Sequence, residues 1–132
     1  MAIVVDSSAI AAIVFGEADA PALSAVLRAH AGAVQVSAAT VLEARMVVQA
    51  RQGDAATTDL DRLLHSVDAE VVAFDDRQSA LAFAAWRRFG RGRHAASLDF
   101  GDCISYALAK SVGVPLLYKG DDFAQTDVSS AL

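Results

Sequence analysis

The sequence predicts an α/β fold: one three-layer α/β/α domain around a central, mainly parallel sheet of four or five strands. Short β-rich apolar runs at residues 2–5, 33–37, 70–74 and 116–118 alternate with longer segments of helical periodicity. The order strand, helices, strand, helices, strand, helix, helix, strand supplies the crossovers that parallel strands need and puts helices on both faces. At 132 residues, 55% hydrophobic and 20% charged, the chain has material for one compact core, so residues 1–132 read as a single domain.

The first run ends at Asp6, and Ser7-Ser8 introduce a helix over residues 9–15 that Gly16 stops. Asp6 thus falls just past the carboxyl end of a strand, where ligands gather in open α/β sheets, although Asp here is equally an ordinary helix cap. Pro21 opens a second helix with Leu23, Val26 and Leu27 on one face. After the strand at 33–37, a helix over about residues 39–52 ends at Gly53. Within it Thr40-Val41-Leu42-Glu43 matches a capping box, which gives Glu43 a structural task of its own. Residues 55–67 form another helix, whose Leu60, Leu63 and Leu64 pack inward or against a twin subunit.

The third strand leads to Asp75-Asp76, read mainly as caps for the helix over 77–89. Trp86 and Phe89 on that helix read as core or interface residues ahead of base-stacking platforms. Gly90-Arg91-Gly92-Arg93-His94 then makes a flexible basic loop, since two glycines loosen any helix. The helix from Asp99 to Val112 carries an apolar stripe of Ile104, Leu108 and Val112, with Asp102 and Tyr106 on a different face. Gly113 and Pro115 turn the chain into the last strand, after which Lys119-Gly120-Asp121-Asp122-Phe123 again puts acids beyond a strand end. Only the last few residues look loose.

Cys103 is the only cysteine, which excludes an intrachain disulfide and a cysteine-based zinc site and fits a reducing cytoplasm. His30, His65 and His94 are too widely spaced to suggest a zinc pair, and His94 reads as a loop residue ahead of a catalytic base. The apolar run at 9–15 lacks a basic lead and is too short to span a bilayer, so neither secretion nor membrane insertion is expected. A formal net charge of −5 argues against indiscriminate nucleic-acid binding. Distribution matters more than the sum: four of the 11 lysines and arginines, Arg87, Arg88, Arg91 and Arg93, lie just upstream of Asp102.

Taken singly, each acid has a local explanation: Asp6 and Asp99 as caps, Glu43 in a capping box, Asp102 at a helix start, Asp121 and Asp122 in a turn. In a parallel sheet, however, the strand ends near Asp6 and Tyr118 and the helix starts near Glu43 and Asp102 all belong to one edge. Two like charges about 4 Å apart repel by roughly 4 kcal/mol at an effective dielectric near 20. Such a cluster takes up protons or a cation, and all-oxygen ligands suit Mg²⁺, with Mn²⁺ as the other candidate.

Val4-Val5-Asp6-Ser7-Ser8-Ala9 resembles the opening of PIN-domain ribonucleases, specifically the VapC toxins of bacterial toxin–antitoxin pairs. Gly90-Arg91-Gly92-Arg93-His94, Leu98-Asp99-Phe100-Gly101-Asp102-Cys103 and Leu117-Tyr118-Lys119-Gly120-Asp121-Asp122-Phe123 resemble three further stretches of one VapC subgroup, in the same order. The resemblance covers nearly the whole chain and implies a PIN-like fold and Mg²⁺-dependent hydrolysis of RNA phosphodiester bonds. It implies Asp6, Glu43, Asp102 and Asp122 as the acidic site, with Asp6 and Asp102 as the direct metal ligands and Glu43 acting through water or orienting the nucleophile. Asp122 is a better match than Asp121 to the family's Gly-x-Asp-Phe pattern. Arg87, Arg88, Arg91 and Arg93 would position phosphates, and Ser7 or Ser8 would hold a water or cap the helix. Where the family commonly has Asn this chain has Asp99, read as a helix cap. The resemblance further implies a cytoplasmic homodimer and a cognate VapB-type antitoxin whose arm covers the acidic groove.

Two other readings stand beside this one. A phosphoryl-transfer domain of receiver or phosphatase type also uses acids at strand ends with a lysine after the last strand, but wants an acid pair where Asp6 is followed by Ser7-Ser8. A catalytically silent module would use the same fold to hold RNA or a protein.

Overall fold

The computed structural model describes residues 1–132. Four short strands, β1 (Ile3–Val5), β2 (Val34–Ser37), β3 (Glu70–Val72) and β4 (Leu116–Leu117), pair in the order β3-β2-β1-β4, all parallel. Successive strand residues point to opposite faces, and β1 divides the core on that principle. Ile3 and Val5 pack against α1 (Ser7–Val14), α2 (Ala20–Ala29), α3 (Ala38–Gln52) and α4 (Asp54–Ser66), while Val4 packs against α5 (Asp76–Phe89) and α6 (Phe100–Val112). The three-layer α/β/α domain read from the sequence is the architecture found.

Several local expectations are refined. Leu60 and Leu64 of α4 lie in the first core cluster, so their stripe packs inward and not against a second subunit. On α6 nearly every residue from Gly101 to Ala109 is buried, because the helix is packed against the sheet, α3 and α5 together. Val112, expected to continue the stripe, is instead exposed, since the packed region ends a turn earlier. The last residues are not loose: Leu116 N–H donates to Ser129 O at 2.9 Å, Ala131 N–H donates to Leu116 O at 3.0 Å, and Val128 is buried. The basic loop is closed at its neck, where Leu98 N–H donates to Phe89 O and Arg91 N–H to Leu98 O, both at 3.0 Å. His94, itself exposed, braces the loop, its Nδ1 accepting from Ala96 N–H at 3.0 Å and its ring meeting Phe89 edge-on at 5.0 Å.

The topology fixes where a site forms. The chain leaves β1 for β2 on one side and later returns from β3 to β4 on the other, so the strand order reverses between β1 and β4. Ligands bind outside the carboxyl ends of strands at such a switch point, which here brings the segments after Val5 and after Leu117 together. Asp6 N–H donating to Leu117 O at 2.9 Å is the last rung of that pairing.

The packing predicts a contrast within the first core layer. Leu60→Ala, at a fully buried position, should lower unfolding free energy by about 2–5 kcal/mol. Asp59→Ala, at an exposed position of the same helix, should change it by less than about 0.5 kcal/mol. Urea unfolding midpoints at constant slope measure both.

Candidate active site

Asp6 is 1% exposed at the end of β1. It caps α1 and also lies within electrostatic reach of Glu43 and Asp102, so neither of its two readings excludes the other. Its Oδ2 accepts from the backbone N–H of Ser8 at 3.0 Å and from Ser8 Oγ at 2.6 Å, while Oδ1 accepts from Ser105 Oγ on α6. Burial pushes its pKa up against the pull of these hydrogen bonds. A carboxylate has about four acceptor sites, and three are taken. Ser8 Oγ also accepts from Lys119 N–H at 3.0 Å, stitching the ends of β1 and β4 together.

Glu43 is not part of a capping box. Strand β2 runs straight into α3, so the extended residue that caps this helix is Ser37, whose Oγ accepts from Ala39 N–H at 3.2 Å. Thr40 is therefore inside the helix and buried, its hydroxyl 3.3 Å from that of Ser105. Freed from the backbone, Glu43 accepts from Ser7 Oγ through Oε1 at 2.8 Å. Its carboxylate lies against Gly101, where a Cβ would stand 2.2 Å from Oε2, too close for any other residue without a shift. Partial burial raises the Glu43 pKa, and the charges of Asp6 and Asp99 push the same way.

The capping box of the molecule is at α6. Asp99 Oδ1 accepts from Asp102 N–H at 2.9 Å and Asp102 Oδ2 accepts from Asp99 N–H at 3.1 Å, so Asp99 is a cap, as read from the sequence. This pins the Asp102 carboxylate by one oxygen in the first helical turn. Burial, with the charges of Asp99, Asp6 and Asp122 added, pushes its pKa up to about 8. Asp122 is exposed at the start of the 3-10 turn Phe123–Gln125 and reaches Asp102 through its charge. Asp121 is exposed beside it. Asp6, Glu43 and Asp102 thus share one electrostatic neighbourhood, although no three His, Cys, Asp or Glu side chains form a ready-made metal shell.

Arg87, Arg88 and Arg93 line one shallow hollow with Ala84 of α5. Arg88 meets Asp127 at 3.4 Å, a residue also held by Lys110 and Tyr106, and so braces the C-terminal segment. Arg87 and Arg93 lie beside the aromatic rings of α5, the Arg93 guanidinium 4.7 Å over Trp86 and the Arg87 guanidinium 6.0 Å from Phe83. Arg91 is exposed. Lys119 turns away from the acids, its Nζ meeting Glu17 at 2.5 Å and Asp19 at 3.5 Å.

Ser105, Thr40 and Gly101 were not legible as site residues. Ser105 follows Asp102 by three positions, one turn along the same helix, which is the only signal the sequence carries for it. Gly101 is a poor helix former in a helix's first turn, a weak hint of a close approach.

With this geometry in place, the comparisons are specific. The PIN domain family model matches residues 3–129. Ribonuclease VapC30 of Mycobacterium tuberculosis is 42% identical over 127 residues, covering 96% of each chain. Ribonuclease VapC28 of the same organism is 44% identical over 130 residues, covering 98% of this chain and 97% of its own. Among solved structures, Mycobacterium tuberculosis VapC20, described as a Sarcin-Ricin loop cleaving toxin, superposes with a TM-score of 0.80 at 19% identity over 96% of each chain, a likeness of fold. A family match over nearly all of the chain, close relatives of the same length and a common fold leave one assignment: the chain belongs to the PIN domain family, among the VapC ribonucleases.

Proposed function

We propose that the protein is a Mg²⁺-dependent endoribonuclease toxin that hydrolyses RNA phosphodiester bonds. The observation that carries this reading is the burial of Asp6 beside Glu43 and Asp102 with no lysine, arginine or histidine paired to any of the three. Carboxylates that hold their protons abnormally tightly, for want of a counter-charge, suit a hard cation. The donor set fits Mg²⁺, which keeps several waters and is commonly held by one or two carboxylates plus substrate phosphate, so a closed three-residue shell is not required. Asp6 and Asp102 would hold it, and Mn²⁺ would substitute. When bound, the ion supplies Lewis-acid polarisation of the phosphate and a lowered pKa for water.

The chain's own residues do the positioning. Ser8 and Ser105 orient Asp6 from opposite oxygens, and the Asp99 capping box orients Asp102. Ser7 fixes Glu43 through Oε1, leaving Oε2 to accept a proton from the attacking water. The raised Glu43 pKa brings this base closer to neutrality, where proton transfer is most effective. Asp122 adds negative potential at the outer edge, and Arg87, Arg91 and Arg93 offer positive charge to the RNA backbone. The phosphoryl-transfer alternative finds no support in Lys119, whose ammonium is spent on Glu17 and Asp19.

The same reading carries a second copy of the chain and a VapB-type antitoxin as partners, for which exposed Leu42, Met46 and Val47 on α3 offer apolar surface. No helix is long and apolar enough to cross a membrane.

Asp102→Asn should keep the cap's acceptor and the fold but reduce cleavage of a mixed RNA pool by about 100-fold or more, as for loss of one electrostatic group from a catalytic site. EDTA should do the same to the wild type. Cleavage retained by the folded variant would place the chemistry elsewhere.

A pH dependence of stability follows from the same acids. Asp102 has a folded-state pKa of about 8, above the unfolded value, so between the two the native state binds more protons. Its contribution is therefore present at low pH and lost as pH rises through about 8, and Asp6 and Glu43 act in the same direction. Asp127 has the opposite sign: hydrogen bonding from Tyr106 lowers its pKa, so its contribution is lost as pH falls below the ordinary carboxylate range. In EDTA the melting temperature should fall as pH is raised from about 5 to about 8, where Mg²⁺ should restore it most. A melting temperature that climbs over this range would contradict the assignment.

A further inference from the structure

Between α5 and α6 runs a groove of about 490 Å³ that metal-dependent hydrolysis leaves unexplained. Phe83 and Trp86 of α5 form one wall, Phe100 and Cys103 of α6 the other, with Ala82 and Ile104 between them. Phe83, Trp86 and Phe100 are 60%, 39% and 81% exposed, a concentration of aromatic surface in water that is unusual unless something binds there. Phe89, three residues on, is buried in the core; Trp86 is not.

The wall is built, not incidental. The Phe83 and Trp86 rings lie nearly parallel, 19° apart in plane with centroids 6.1 Å apart. Gly90 presses on the edge of the indole so closely that a Cβ there would stand 2.6 Å from Cδ1 and 2.8 Å from Nε1. Arg93 covers the ring at 4.7 Å and is itself anchored by Nε donating to Arg87 O at 3.3 Å. At the far wall, Phe100 and Cys103 flank Gly101-Asp102 in the chain, and the backbone of Gly101 lies against the Glu43 carboxylate, so this wall is one residue removed from the acids.

We infer that this groove is a subsite for a nucleobase of the RNA strand next to the scissile phosphate, with Trp86 and Phe83 as the stacking surface and Arg87 and Arg93 taking the adjoining phosphate. The inference rests on the ribonuclease reading above. A nucleotide joins a flat π-face to an anion, and here each ring of the aromatic wall has a guanidinium group beside it, Arg87 by Phe83 and Arg93 by Trp86. A purely apolar helix would match the floor but not those cations.

Trp86 is the only tryptophan, so its emission reports this groove alone. The test titrates the full chain, carrying Asp102→Asn to prevent cleavage, with dye-labelled single-stranded RNA of random sequence in Mg²⁺, following emission and anisotropy together. Base-bearing RNA should quench the emission in step with the rise in anisotropy, whereas an RNA of abasic sites should bind without quenching. Trp86→Ala should weaken binding of base-bearing RNA roughly 5- to 150-fold and leave abasic RNA unaffected. Trp86→Phe, which keeps an aromatic face and the packing, should retain most of the affinity. RNA binding without a change in emission, and undiminished in Trp86→Ala, overturns the subsite and leaves the nuclease standing. Emission that shifts with protein concentration before RNA is added assigns the groove to a second copy and overturns the proposal. No binding in either readout, with no cleavage by the wild type, overturns the subsite and the ribonuclease reading together.

Discussion

The structure is organised by the need to satisfy one buried carboxylate. Asp6 sits at the end of the central strand with almost no access to water, and a charge so placed is costly unless it is hydrogen-bonded. One donor, Ser8, comes from the next turn; the other, Ser105, comes from 99 residues away on α6. That bond fixes the height and rotation of α6 over the sheet. The Ser105 hydroxyl also lies against Thr40, which does the same for α3. On each helix the acid is three residues from the hydroxyl, Asp102 from Ser105 and Glu43 from Thr40, so a helical turn separates a buried hydroxyl layer from a carboxylate layer. The hydroxyls position the helices, and the acids are thereby placed.

This division explains what could be read from the sequence. Strand and helix identities were legible because each rests on short-range periodicity, and the crossover rule then turned their order into a parallel sheet. Asp6 was legible because a strand end followed by two serines is a local pattern. Glu43 was misread for the same reason: Thr-x-x-Glu is a genuine capping pattern, and only the exact end of β2, which makes Ser37 the cap, decides against it. Ser105 and Gly101 carry no local pattern at all. Their roles depend on contacts with Asp6 and Glu43, residues from other elements. Arg88 looked equivalent to its neighbours until the C-terminal segment brought Asp127 to it.

The chain separates its charges to one purpose. Acids gather where β1, β4 and the starts of α3 and α6 meet, without an internal counter-ion, while positive charge collects at the neck of the 90–98 loop on the end of α5. Pairing the two sets within the chain would relieve the repulsion that raises the pKa of Asp102, but Arg93 is held over Trp86, Arg88 on Asp127 and Lys119 on Glu17. These three cations are thus engaged elsewhere, and the acids are left without a positive partner from the chain. Stability is sacrificed at the site, as is common where function requires strain, and the two buried core clusters on either side of the sheet offset it.

Helix-capping chemistry has a second consequence at Asp102. A capping box uses its two side chains to satisfy two backbone N–H groups. Here the box consumes only Oδ2 of Asp102, so the carboxylate is fixed in direction while its other oxygen makes no bond to the chain. An Asn at the cap would accept from Asp102 N–H equally well through its side-chain oxygen, but without charge. Asp99 adds a negative charge next to Asp102 and contributes to the rise in its pKa. The cap is therefore an electrostatic element as well as a structural one: it orients the acid, and it sharpens the site's demand for positive charge.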